Sequence, residues 1–434
     1  MIYPLEQSGF SRVRRSLPGR RSFLRMGAAY LGAVGSAWLG SASFGTAQDA
    51  SPPAPADDWK PLLQQSFTLL EEHCLYEIQA ATVLRKMLAL MRAKLPPDDA
   101  KALAEAERNT IEEGLLGIFD QTIKLAATKA PRGPVTSLVI MQSVLQQYAR
   151  SLDRYSDYTP PEDFAMLQSL EAERYLGLGF NLVEGEDGLF RCFPFPAEAA
   201  ELAGLLPGDQ LLAIDGKATT GMSRYRIAAA ARGQEGTIAR LEVLRANQRP
   251  RVVEIKRTVI STSPIQTSEG DGGMTIRIIR FNEQTTRDLG AILLQLPAGS
   301  NLVIDMQACP GGELEATIAC ASMFVSQGEE VCRTVTRLKE EVHLSKNPSP
   351  FRAGSLVIKQ NEGTASAGEM FIAALTADAA TRAVSRGPVT YGKGMTQTEF
   401  GLKAGGALKI TDSRLLGPGG RSWEREGLQP TEPT

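Results

Sequence analysis

Hydrophobic and polar positions change period three times along this chain. From Trp59 onward, Leu62, Leu63, Phe67, Leu70, Cys74, Leu75, Ile78, Val83, Met87, Leu90 and Met91 recur at helical spacing, which predicts helix up to the Pro96-Pro97 break. Two more helical stretches are predicted over roughly 99–128 and 136–150, separated by the turn-like Pro131-Arg132-Gly133-Pro134. A polar, turn-rich segment then leads through Pro160-Pro161 into a short helix. Next come short strand-like runs at Leu178–Val183, Leu189–Phe193, Gln210–Ile214, Ala239–Leu244 and Val252–Lys256. Asp215-Gly216 marks a hairpin, and helical pieces at Ala197–Ala203 and Ser223–Ala231 interrupt the runs, as in a small β-barrel module. Beyond it, apolar strands at Met274–Phe281, Asn301–Asp305 and Ser355–Gln360 are separated by helices around Thr285–Leu296, Glu313–Ser326 and Glu369–Thr376. That is the pattern of a layered α/β domain, whose active residues are expected in the loops after its strands.

The segment before Trp59 reads as a leader. Six arginines between Arg12 and Arg25 precede a moderately apolar run, Met26 to Phe44, rich in Gly, Ala and Ser. Arg20-Arg21-Ser22-Phe23-Leu24-Arg25 resembles a twin-arginine export signal. Gly45 and Ala47 suit a cleavage site, placing the cut after Ala47 and the mature protein in the periplasm or another extracytoplasmic space. The run could just span a bilayer, but its glycines and serines make a weak anchor. The expected division is 1–47 export signal, 48–58 Pro/Ala/Asp linker, 59–168 helical region, 170–258 β module and 262–434 α/β core.

Composition narrows the chemistry. The 434 residues carry 47 Lys+Arg against 49 Asp+Glu, a net charge of −2, and removing 1–47 leaves 41 basic residues against 48 acidic ones. No basic field draws the protein to nucleic acid. His73 and His343 are its only histidines, and no zinc-ligand spacing occurs, so a metal centre is not expected and a Ser-His-Asp mechanism is weakened. No cofactor is implied. The five cysteines, at irregular spacings, read as buried small residues. His73 reads as a structural helix residue and His343 as exposed.

Two loops carry candidate chemistry. Gln307-Ala308-Cys309-Pro310-Gly311-Gly312 follows one apolar strand, and Asn361-Glu362-Gly363-Thr364-Ala365-Ser366-Ala367-Gly368-Glu369 follows another. Ser366 sits among small residues at a strand-to-helix junction, where a hydroxyl can project and N–H groups can face a developing oxyanion. With histidine scarce, the candidate base is a desolvated lysine. Tyr391-Gly392-Lys393-Gly394 supplies one, with glycines that would leave room for a reacting peptide. Alone, Ser366 would be a helix-start serine and Lys393 a solvated lysine. Glu369 reads as a first-turn helix acid, Asp305 as a strand-end brace of the Gly311-Gly312 loop, and Asp412 and Arg414 as strand or turn residues.

Tyr175-Leu176-Gly177-Leu178-Gly179-Phe180 resembles the carboxylate-binding loop of PDZ domains, and Ala203 to Gly216, with Leu206-Pro207-Gly208-Asp209, resembles their strand-turn core. From about residue 60 to 434 the chain resembles the carboxyl-terminal processing, or tail-specific, proteases. The resemblance rests on the Ser151-Leu152-Asp153 to Phe164 stretch, the PDZ core, Arg232-Gly233-Gln234-Glu235-Gly236-Thr237, Pro310-Gly311-Gly312, Gly363 to Ala367, Gly392-Lys393-Gly394 and Gly419-Gly420-Arg421-Ser422. It implies a multi-domain α/β protein with an N-terminal helical region, a PDZ module and a crotonase-like or ClpP-like protease core. It also implies a serine endopeptidase with Ser366 as nucleophile, Lys393 as base and Gln397 orienting the lysine. Backbone N–H groups of Gly311, Gly312 and Ala367 would form the oxyanion hole, and Leu176 to Phe180 would hold the peptide carboxylate. The implied partners are a protein or peptide with an accessible C-terminus and the twin-arginine machinery, with the helical region a candidate for self-association. Gln307 and Cys309 depart from the family's Arg and Asn, which leaves open how that loop is braced. A non-catalytic PDZ-containing binding or scaffold protein on the same fold is the alternative.

Overall fold

The computed structural model describes residues 57–131, 133–172, 176–185, 187–195, 198–259, 263–270 and 273–432. The export signal, its cut after Ala47, nearly all of the 48–58 linker and Tyr175 lie outside these residues. The described chain divides into two compact units, one comprising residues up to Phe67 with Ile78–Tyr148, the other Thr68–Glu77 with Ala149 onward.

The first unit is helical, and its helices are amphipathic. They comprise most of α1 (Lys60–His73), then α2 (Ala80–Arg92), α3 (Pro97–Arg108), α4 (Leu115–Thr128) and α5 (Ser137–Arg150), whose last residues pass into the second unit. α2 buries Val83, Leu84, Met87, Leu88 and Met91, the i, i+3, i+4 stripe that forms its core face. The stretch read as one helix up to Pro96 breaks between α1 and α2 because the Leu75 N–H donates to the Thr411 carbonyl at 2.9 Å instead of continuing the helix. The 99–128 stretch also breaks, after Arg108, with a 3₁₀ turn at Glu112–Gly114.

The second unit contains two functional modules. β1 (Asp157–Thr159) is a strand inside the stretch expected to be helical over 59–168, followed by α6 (Pro161–Ala172). The β module contains β2 (Leu176–Gly177), β3 (Phe180–Glu184), β4 (Phe190–Pro194), α7 (Ala199–Leu202), β5 (Asp209–Ile214), β6 (Lys217–Ala218), α8 (Arg224–Ala231), β7 (Ile238–Leu244), β8 (Arg251–Lys256) and β9 (Thr258–Val259). Its main sheet runs β3-β4-β5-β7-β8, with β6 on β5. Asp215 and Gly216 both take positive φ (47° and 76°), as the Asp-Gly hairpin predicts. Leu178, Cys192, Leu205, Leu211, Ile227, Leu241 and Ile255 form its core. The Leu206-Pro207-Gly208-Asp209 turn is locked by buried Asp209, which accepts from the Leu206 N–H at 2.9 Å and pairs with Arg245 at 2.8 Å.

The C-terminal module is a layered α/β structure. β10 (Ile265–Gly270), β11 (Gly273–Ile278), β12 (Leu302–Asp305), β15 (Leu356–Lys359) and β16 (Ala383–Arg386) form one sheet in the order β10-β11-β12-β15-β16. Its last four strands are parallel, in the register Met274, Leu302, Leu356, Ala383. Between these strands run α9 (Glu283–Gln295), α10 (Leu314–Ser322) and α11 (Ala367–Ala377). A second sheet holds β1, β13 (Glu330–Thr336), β14 (Glu340–Leu344), β17 (Met395–Gly401) and β18 (Ala407–Leu416), in the order β1-β18-β13-β14 with β17 on β18. The core contains Ile276, Ile304, Ile358, Phe281, Phe324 and Phe371, with the Phe281 and Phe371 rings 5.3 Å apart. Among the described residues no helix is long and apolar enough to cross a membrane.

Candidate active site

Parallel strands deliver their following loops to one edge of the sheet, and β12 and β15 are adjacent, so the 306–312 and 360–366 loops emerge side by side. Hydrogen bonds stitch them together. Asn361 Oδ1 accepts from the Ala308 and Gly363 amides (2.9 and 3.0 Å), the Thr364 hydroxyl donates to the Met306 carbonyl (2.8 Å), and the Ala365 amide donates to the Cys309 carbonyl (2.9 Å). The Gln307 amide donates to Asp305 Oδ1 at 3.0 Å. Asn361 and Asp305 therefore brace the loop that has Gln307 and Cys309 in place of arginine and asparagine.

Ser366 stands at the start of α11 with φ 56° and ψ −121°, a conformation that L-residues rarely adopt and that proteins hold where a side chain must be presented at a sharp strand-to-helix turn. Gly311 lies against it. A Cβ at Gly311 would come within 2.8 Å of the Ala367 nitrogen and 3.1 Å of Ser366 Cβ, so no larger residue fits beside the serine.

Glu369, read from sequence as a helix acid, is the hub of the site. It is fully buried. Its Oε1 accepts from the Thr390 hydroxyl (2.6 Å) and the Gly392 amide (2.7 Å), and its Oε2 from the Ser366 and Lys393 amides (2.8 Å each). Burial pushes its carboxyl pKa up, and these donors oppose that. With two donors on each oxygen, no lone pair is left for a proton, so we read it as a carboxylate. The serine and lysine amide nitrogens share one oxygen, which fixes them within about 6 Å of each other. The Tyr391 amide adds a direct link, donating to the Thr364 carbonyl at 3.0 Å.

The lysine loop is held from behind by parts of the chain far from it in sequence. Arg154 Nη2 donates to the Gly392 carbonyl at 2.5 Å and pairs with Glu424 at 3.1 Å. The Glu424 carboxylate accepts from the Gly394 amide at 2.7 Å, and Trp423 Nε1 donates to the Lys393 carbonyl at 3.0 Å. The glycines flanking Lys393 do not leave space for a peptide, contrary to the sequence reading. A Cβ at Gly392 would lie 2.9 Å from the Gly427 nitrogen, and one at Gly394 3.1 Å from Glu424 Cβ; the C-terminal segment occupies that room. Lys393 Nζ lies 5.3 Å from the Tyr155 ring centroid. Burial, reinforced by the positive charges of Lys409 and Arg224, pushes its pKa down to about 8, against the pull of Glu369 and Glu424.

The remaining sequence candidates fall as follows. The bridge between Phe281 and Gly312 uses the Gly311 carbonyl and the Glu313 amide and leaves the Gly312 N–H outside it. Cys309 itself is buried, its thiol pushed up to about 12 by burial, which is the packed cysteine expected rather than a reactive one. Gln397 sits on β17 just after a bulge; its Nε2 is buried without a hydrogen-bond partner, and it lines a cavity whose walls include neither Ser366 nor Lys393. His343 is half-buried rather than exposed, and its Nε2 lies 3.0 Å from the Thr334 hydroxyl. His73 stacks on Phe400 at 4.6 Å.

In the β module, Leu176 and Gly177 form β2, paired with β9, Leu178 is buried, Gly179 takes φ 81°, and Phe180 begins β3. Among the described residues β3 pairs only with β4 in its sheet, and an added strand would join at its other edge. The module abuts the site: a Cβ on Gly363 would meet the Phe193 ring at 2.8 Å, and the Tyr391 hydroxyl donates to the Glu184 carbonyl at 3.4 Å. Among the described residues no group of three or more His, Cys, Asp or Glu could hold a metal ion.

Residues 274–434 match the family model for Peptidase family S41, and residues 196–245 match that for the PDZ domain. The chain is 26% identical over 281 residues to the carboxy-terminal processing protease CtpA of Bacillus subtilis (strain 168), covering 64% of this chain and 60% of that one. It is 28% identical over 282 residues to a probable CtpA-like serine protease of Staphylococcus aureus (strain N315), covering 64% and 56%. The alignments thus span about three-fifths of these relatives' length. Among solved structures, a photosystem II D1 C-terminal processing protease superposes with a TM-score of 0.60 at 22% identity, over 80% of this chain and 93% of that one, a likeness of fold.

Proposed function

The chain belongs to peptidase family S41, with the carboxyl-terminal processing proteases, and on that premise we propose that it is an exported serine endopeptidase that captures a polypeptide by its C-terminus and cuts it with a Ser366–Lys393 dyad. One observation carries the reading: the buried Glu369 carboxylate ties the serine and lysine backbones to a single oxygen. In the proposed cycle, neutral Lys393 takes the Ser366 proton as the hydroxyl attacks the scissile carbonyl. The Gly312 and Ala367 amides, with Gly311 shaping the turn between them, receive the developing oxyanion. The protonated lysine then gives its proton to the leaving amine, and water completes the cycle by the same route. Gln397 would steady the lysine, and the substrate's terminal carboxylate would dock at Leu176 to Phe180 while its strand adds to β3. The twin-arginine-like leader supports an activity outside the cytoplasm.

A pair of otherwise identical unfolded polypeptides, one ending in a free carboxylate and one amidated, tests the proposal. Internal cleavage of both, identified by product masses, with a KM several-fold lower for the free acid, is expected. Intact substrate after prolonged incubation with excess protein, together with retained binding of the free acid, would favour the non-catalytic binding reading instead.

A lysine base acts only when neutral. With its pKa near 8, kcat/KM should rise about tenfold per pH unit below pH 8 and level off above it. Initial rates from pH 6 to 10 check this, and a flat profile across pH 8 would count against Lys393 as the base.

A further inference from the structure

The cavity that holds Gln397 has a volume of about 510 Å³. It is formed by the end of α1, the β13–β14 hairpin, β17, β18 and the first residues of α10. Two of its residues continue directly from the site: Leu314 follows the Gly311-Gly312 turn, and Gln397 follows the lysine loop on β17.

The lining is mixed, and its charge is unbalanced. Glu72, Glu315, Glu341 and Asp412 contribute four carboxylates against the fixed cations Arg337 and Lys339. Both cations are already engaged. Lys339 pairs with Glu341 at 2.7 Å, and Arg337 donates to the Glu71 and Tyr76 carbonyls at 2.6 and 3.5 Å. Threonine hydroxyls supply further acceptors, and the buried Gln397 Nε2, without a partner, is a donor suited to a peptide carbonyl. A long cationic side chain would lay its methylenes on the apolar part of the wall and find acceptors and a negative field for its charged end.

Resting on the protease reading above, we propose that this cavity is a substrate subsite that takes a lysine or arginine side chain of the bound polypeptide. Glu315 and Glu72 are exposed, so replacing them leaves the fold intact.

The test uses peptides that place lysine, norleucine or glutamate at each position in turn, all C-terminally amidated so that the PDZ module does not select among them. At one position, lysine should exceed norleucine in kcat/KM by about tenfold. The preference should fall to about twofold in Glu315→Gln with Glu72→Gln, and Glu315→Lys should favour glutamate at that position. Uniform rates across all positions, or a lysine preference unchanged in Glu315→Lys, would overturn the proposal. If no peptide is cut, the protease reading fails, and anisotropy of the same labelled peptides on the full chain still decides the subsite. Tighter binding of the lysine peptide, lost in Glu315→Lys, supports it, and equal binding rejects it.

Discussion

Lys393→Met should lower kcat/KM by about 10³-fold or more, and Ser366→Ala by a similar factor, with the double variant hardly worse than either alone. The effects do not add because each residue is useless without the other: a hydroxyl without a base is a poor nucleophile, and a base without a nucleophile activates nothing. Residual turnover would come from oxyanion stabilisation and binding alone. Methionine is chosen because it keeps most of the lysine's length while removing its charge. Since burial lowers the lysine's pKa to about 8 from an ordinary value of 10.5, the folded state binds protons less well there than the unfolded chain. At neutral pH that group works against folding, so Lys393→Met should melt at the same temperature as the parent or higher. Parallel thermal melts and rates on one peptide check both halves. Full activity in Lys393→Met would remove the dyad, and a collapsed melting temperature would mean that the lysine is structural.

Glu369→Ala should be the most destabilising single change at the site. It strands three buried amides and a buried hydroxyl, each costing about 1–3 kcal/mol when left without a partner. Water entering the vacated space would recover part of that, so a net loss of about 3–5 kcal/mol is expected. Glu369→Gln is a sharper probe because it keeps the shape. Whichever oxygen becomes a nitrogen then points N–H groups at two donors, either the Thr390 hydroxyl and Gly392 amide or the Ser366 and Lys393 amides. Both variants should lose activity by at least about 10²-fold, since the two loops are positioned through this carboxylate. Denaturant midpoints with rates on a single peptide measure the two effects, and parental stability and turnover in Glu369→Ala would show that the loops hold each other without it.

The serine and lysine motifs, the β module and the layered core were legible because each is local. Ser366 among small residues and Lys393 between glycines are patterns of a few positions, and buried strands such as Leu302–Asp305 announce themselves as apolar runs. Glu369 was read rightly as a first-turn helix acid, but nothing near it in the sequence shows that its oxygens also reach Thr390, Gly392 and Lys393. Arg154 lay in a stretch that carried the resemblance but had no role assigned, and Trp423 and Glu424 gave no signal, since what all three do depends on which distant backbone they meet. The flanking glycines of Lys393 were read with the right residues and the wrong reason: the close approach they allow is to Glu424 and Gly427, not to a substrate. The helix break after His73 was hidden for the same cause, as it depends on a partner at Thr411.

That dependence on distant partners also orders the birth of the molecule. Arg154 meets Gly392 across 238 positions, and β1 pairs with β18 in the register Asp157 to Lys409. Contacts of such separation form late, after the entropy of closing long loops has been overcome. The Trp423–Gly427 strap that seats the lysine loop follows that loop by about thirty residues and closes back on it. A half-folded chain therefore lacks the Arg154 and Trp423–Gly427 contacts that seat its lysine loop, and whatever this site does begins only once both have closed on it.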